Sequence, residues 1–91
     1  MTFSSNNDIK KDIYPEQIRA ARALLDWTRE DLASASGLTV RTLARIESAQ
    51  TTPRQTTIKA LSTALEAAGV EFIPENGSGP GVRLAHRLSR S

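Results

Sequence analysis

Apolar residues recur at helical spacing through the middle of the chain and at strand spacing only near its end. Ile18, Ala21 and Leu25 form one stripe, and Pro15 stands where a first helical turn tolerates proline. A second helix is predicted from Thr28, whose hydroxyl can cap free amides. Glu30 and Asp31 then lie near the positive end of its dipole, and Leu32, Ala33 and Ala35 supply an apolar side. Gly37 ends this helix, because glycine adopts positive φ without a Cβ clash. Thr39 caps a third helix two residues later, with Leu43 and Ile46 as its buried pair. A fourth follows Pro53, carries Ile58, Leu61, Leu65 and Ala68 on one face, and stops at Gly69.

Beyond Gly69 the period changes. Val70, Phe72 and Ile73 favour extended structure and Pro74 closes the run. Val82, Arg83 and Leu84 make a second short apolar–polar–apolar piece after a turn-rich stretch, PENGSGPG. The two pieces can close a hairpin, or Val70–Ile73 can pair with the same strand of another subunit. Three parts follow: a polar, mobile N-terminal arm (1–14), a folded unit (15–73), and a Gly/Pro-rich loop with a basic tail (74–91). The fold class expected is mainly α, four to five helices with a short C-terminal β-strand or hairpin.

Composition narrows the chemistry. At 91 residues one domain is the natural reading, with a core small enough to benefit from a partner subunit. The absence of cysteine removes disulfides, thiolate metal sites and Cys nucleophiles. A single histidine, His86 in the tail, leaves little for a metal site or a triad and reads as solvent-exposed. No catalytic constellation, metal site, cofactor motif, membrane span or secretory signal is expected, so the reading is cytoplasmic and not an enzyme. Net charge is only +2, a weak hint of an anionic partner. The surplus lies in the tail, where Arg83, Arg87 and Arg90 stand against Glu75.

The informative stretch is REDLASASGLTVRTLARIE, Arg29 to Glu47. Two short helices flank a tight turn. Helices that cross steeply over such a turn approach closely, so Ala33 must be small, Gly37 reverses the chain, Leu38 plugs the corner, and Leu43 and Ile46 anchor the third helix. This is the helix-turn-helix pattern, whose second helix lies in the major groove of double-stranded DNA. Arg41 and Arg45, four apart, share that helix's outer face and can grip the O6 and N7 of guanine. Thr28 and Arg29 at the amino end of the second helix face the DNA backbone, where a phosphate is favoured. Thr28 also reads as a plain N-cap. Thr39 is a cap first and a phosphate contact second, and Thr42 can bond a phosphate or a base. Trp27 is expected to pack over the first two helices.

From Ile18 to about Val70 the chain resembles the phage-repressor-like (Cro-type, xenobiotic-response-element-like) helix-turn-helix domains. Leu25, Thr28, Arg29, Leu32, Ala33, Gly37, Thr39, Leu43, Arg45, Ile46, Glu47, Pro53, Leu61 and Leu65 carry the likeness. The resemblance implies a lambda-repressor-like domain that binds operator DNA, usually as a dimer. It places Val40 at a base-reading position, although a partly buried core valine fits there as well. It puts a phosphate contact near the polar loop that holds Arg54, with Gln50, Thr51 and Thr52 as weaker candidates. Glu47 would repel phosphate, and the family answers with an arginine on the first helix, here Arg22, in a structural pair. The chain departs from the family where Arg29 replaces a common Gln, Ala49 a common Gly and Gln55 a common Leu. The terminal strand is similar to that of some antitoxin-type members, which dimerise through it; Val70, Phe72 and Ile73 would be that contact.

The function expected is a sequence-specific transcriptional regulator, a homodimeric repressor that reads the major groove with residues 39–47 and blocks polymerase. One alternative is an antitoxin that also binds a toxin protein through residues 70–91. Another is an interaction adaptor that keeps the fold without binding DNA. From Pro15 to Ile73 the basic residues (Arg19, Arg22, Arg29, Arg41, Arg45, Arg54, Lys59) balance the acidic ones (Glu16, Asp26, Glu30, Asp31, Glu47, Glu66, Glu71). Binding would therefore rest on a local field, with Arg29, Arg41, Arg45 and Arg54 on the DNA side.

Overall fold

The computed structural model describes residues 13–85. The expected arm, except for its last two residues, and the tail from His86 lie outside them. Four helices are followed by two strands: α1 (Pro15–Leu25), α2 (Arg29–Ser36), α3 (Val40–Glu47), α4 (Gln55–Ala67), β1 (Val70–Ile73) and β2 (Gly81–Leu84).

Local chemistry sets the helix ends. Pro15 occupies the first turn of α1, and Asp26 closes that helix in the left-handed region at φ 60°. At α2, Thr28 Oγ1 accepts from the Asp31 amide at 3.0 Å and the Asp31 carboxylate accepts from the Thr28 amide at 2.9 Å. This reciprocal box satisfies two amides that a bare helix end would leave unpaired. Gly37, at φ 81°, ends α2 with its amide on the Ala33 carbonyl. Thr39 Oγ1 then accepts from the Thr42 amide at 3.0 Å and opens α3.

The inner stripes converge on one core of Ile18, Ala21, Leu32, Leu43, Ile46, Leu61, Ala64, Leu65 and Val70. Each fully buried Leu, Ile or Val side chain contributes about 1.5–3 kcal/mol. Three details differ from the helical stripes read in sequence. Ala35 faces solvent. Leu25 is only half-buried at the end of α1. Ala68 caps α4 half-exposed, and Ala64, one turn earlier, takes the inner place.

The terminal strands form an antiparallel hairpin, with Val70 opposite Leu84 and Phe72 opposite Val82. Seven residues, Pro74 to Pro80, connect them, and Gly77 and Gly79 adopt positive φ in the turn. The Ala85 amide donates to the Gly69 carbonyl at 2.7 Å and lengthens the ladder. The hairpin thus carries folded structure past the boundary read at residue 73. Its alternating register sends Val70, Phe72, Val82 and Leu84 to one face, which packs on α1 and α4. Val70, read as a dimer contact, is instead buried in the core of its own chain at 2% exposure.

A polar residue fastens hairpin to helix. Gln17 is buried at 3% exposure. Its Nε2 donates to the carbonyls of Gly81 (2.9 Å) and Ile73 (3.3 Å), and its Oε1 accepts from the Tyr14 amide (2.8 Å). These bonds satisfy a group whose burial would otherwise cost stability.

Candidate nucleic-acid interface

Helix α3 has an inner and an outer face. Leu43, Ile46 and Glu47 point inward and are buried. Val40, Arg41 and Arg45 point outward and are exposed. Val40 keeps 37% of its surface open, so of its two readings the structure takes the exposed one. Among the described residues, neither the Arg41 nor the Arg45 guanidinium has a protein partner.

The helix ends around this face hold the remaining candidates. Thr28 and Thr39 are both N-caps. The Thr39 hydroxyl also donates to Thr42 Oγ1 at 2.9 Å, so the two hydroxyls at the amino end of α3 form a linked pair. Arg54 is the N-terminal flanking residue of α4, makes no cap bond through its side chain, and is exposed. Trp27 is half-buried against the core.

Glu47 ends α3 with its carboxylate buried at 1% exposure. Arg22 grips it bidentately with one edge, Nε to Oε2 at 2.8 Å and Nη2 to Oε1 at 2.9 Å, while Nη1 donates to the Trp27 carbonyl at 3.1 Å. Arg29, read in sequence as a phosphate contact, also donates through Nε to Glu47 Oε1 at 3.0 Å, with its side chain 40% exposed. Arg19 reaches the same residue from α1, donating to the Glu47 backbone carbonyl. Burial pushes the Glu47 carboxyl up, but hydrogen bonds from Arg22 and then Arg29 outweigh it and hold the group below its ordinary value. The Glu47 hydrogen bond raises Arg22 in turn.

Sequence reasoning passed over Arg19 and Gln17. The signals were present: Arg19 lies three residues before Arg22 on the same helical side, and Gln17 four before Ala21 on the inner stripe. Arg83, counted in the tail's surplus charge, pairs across the strands with Glu71 at 3.1 Å. On another part of the surface, Tyr14, Ala20, Pro80 and Val82 line an open depression together with Glu16 and Glu75. Two carboxylates there disfavour nucleic acid. No helix among the described residues is long and apolar enough to cross a membrane.

A model of the helix-turn-helix family matches residues 18–72, from the inner stripe of α1 into β1. No curated protein matches the chain.

Proposed function

The chain belongs to the Cro-type helix-turn-helix family of DNA-binding transcriptional regulators, and from that premise we propose that it is a sequence-specific repressor acting as a homodimer. The observation that carries this reading is the outer face of α3, where an exposed valine stands beside two arginines that have no protein partner among the described residues. With α3 in the major groove, Arg41 and Arg45 grip guanine edges and the Val40 methyls meet a thymine methyl. Thr28, Arg29, Thr39, Thr42 and Arg54 hold backbone phosphates and set the register without reading sequence.

Two copies bind half-sites about one helical turn apart, roughly 34–36 Å. A small core supports the dimer reading, since a second subunit supplies buried surface. Of the residues read as that contact, Ile73, half-exposed on the hairpin face turned away from the core, is the one proposed for it, since Phe72 packs on the core of its own chain. The protein acts in the cytoplasm, on the nucleoid when bound, and represses by occupying a promoter. Control comes from its concentration, proteolysis or a partner protein.

Selection of duplexes from a random-sequence pool by the full chain tests the reading. The expected result is a two-fold-symmetric motif whose preference at one position relaxes in Arg41→Ala. Equal weakening on every sequence would demote Arg41 to a phosphate contact. Sedimentation of the full chain should give a dimer, and a reporter behind the selected site should fall in expression.

A further inference from the structure

Three guanidinium groups converge on one glutamate, which is more positive charge than folding requires. Arg22 alone balances the Glu47 carboxylate in a two-point grip, and its third nitrogen group is held by the Trp27 carbonyl. Arg29 adds a second cation at Oε1, which already accepts from Arg22, and Arg19 adds a third at the backbone carbonyl. Three positive charges thus surround one negative charge, within a segment that is formally neutral from Pro15 to Ile73.

The way each arginine is held leaves part of it available. Arg29 is anchored through Nε, and among the described residues both its terminal nitrogens lack a protein partner. Its side chain is 40% exposed. Arg19 is exposed, anchored through Nη1, and keeps Nε and Nη2 without a partner among the described residues. Only a guanidinium can hold a carboxylate with one edge and present another edge to a second oxyanion, since a lysine ammonium is a single point charge. Glu47 also stands at a suitable place. It ends an eight-residue helix, about 12 Å long, comparable with the roughly 12 Å width of the major groove. The end of a helix lying in that groove comes up beside a row of phosphates.

We propose that Arg19 and Arg29 form a clamp for one backbone phosphodiester of duplex DNA, and that Glu47 is a positioning residue that holds both. Its carboxylate orients Arg29 and its carbonyl orients Arg19, while Arg22 cancels the repulsion a carboxylate would exert on the phosphate. The clamp rests on the DNA-binding reading above.

The test uses the full chain, a duplex selected from a random pool, and an unrelated duplex, titrated over about 50–200 mM salt. Arg29→Gln and Arg19→Gln should each reduce the slope of log affinity against log salt by about 1, on both duplexes alike, with the helical circular dichroism unchanged. Glu47→Gln, read on folded protein, should reduce the slope and leave Arg29→Gln little further effect in its background. A full additional loss there would overturn the positioning role. Should Glu47→Gln not fold, the two arginine variants decide the clamp alone. An unchanged slope in either of them, while Arg41→Ala alters sequence preference, overturns the clamp and leaves the DNA-binding reading standing. A full chain that selects no duplex at low salt overturns both.

Discussion

On the inner face of α3, Leu43, Ile46 and Glu47 keep 0%, 2% and 1% of their surface, whereas Val40 on the outer face keeps 37%. The same eight residues therefore answer to two sets of physical demands. Inward, the apolar side chains join the core and the one charge is paired, because an unpaired buried charge is costly. Outward, Arg41 and Arg45 are exposed and have no protein partner among the described residues. Residues that fold the helix and residues of its exposed face are thus separable by substitution, with Glu47 and its arginines at the seam between the two faces.

The largest effect should come from the seam. Glu47→Ala leaves Arg22 desolvated without its partner and should cost about 3–5 kcal/mol in chemical denaturation. A loss below 1 kcal/mol would mean that the pair contributes little to the fold. Leu43→Ala, on the inner face, should cost about 2–5 kcal/mol through lost burial and a cavity.

Acid should weaken the seam and spare the packing. The folded Glu47 carboxyl titrates below its ordinary value, about 4.3 when unfolded, so its contribution is complete above that pH. It is lost as pH falls from there through the lower folded value. The stability gap between the native chain and Glu47→Gln should be constant from pH 6 to 8 and shrink below about pH 4.3. A gap that stayed constant into acid would contradict the assignment.

On the outer face, Arg41→Ala should leave the melting temperature unchanged and remove about 1–3 kcal/mol of discrimination at one base pair. Any sizeable loss of stability would blur the division between the faces. The smallest effect lies just past α3, where Ala49 adopts φ 62° in a region that favours glycine. Ala49→Gly removes backbone strain of about 1 kcal/mol and adds chain entropy to the unfolded state of about 0.5 kcal/mol. A net gain of a few tenths of a kcal/mol in denaturant titration is expected.

Much of this organisation can be read along the chain because it is local. Thr28, Gly37 and Thr39 mark helix ends through contacts within four residues. The spacing of Ile18, Ala21, Leu43, Ile46, Leu61 and Leu65 marks one inward stripe after another. Ala49 stands where the family resemblance has glycine, and the positive φ found there gives the physical reason for that preference. The hairpin was one of two pairings that its alternation allowed, since a strand edge does not specify whether its partner lies in the same chain.

The sequence by itself determined the helices, their caps, the tight turn at Gly37 and, on α3, the inward Leu43 and Ile46 against the outward Arg41 and Arg45, because those follow from periodicity and short-range hydrogen bonding. The family match adds that this arrangement belongs to a DNA-binding regulator. The Arg22–Glu47 pair that the family resemblance implied is formed, and only the tertiary structure decided that Arg19 and Arg29 join it. Arg19, Arg22 and Arg29 are up to 28 residues from Glu47, and Gln17 is 64 residues from the Gly81 carbonyl it holds. A long polar side chain reaches in many directions, and its partner is selected by whichever unsatisfied group the packed core brings within hydrogen-bond range.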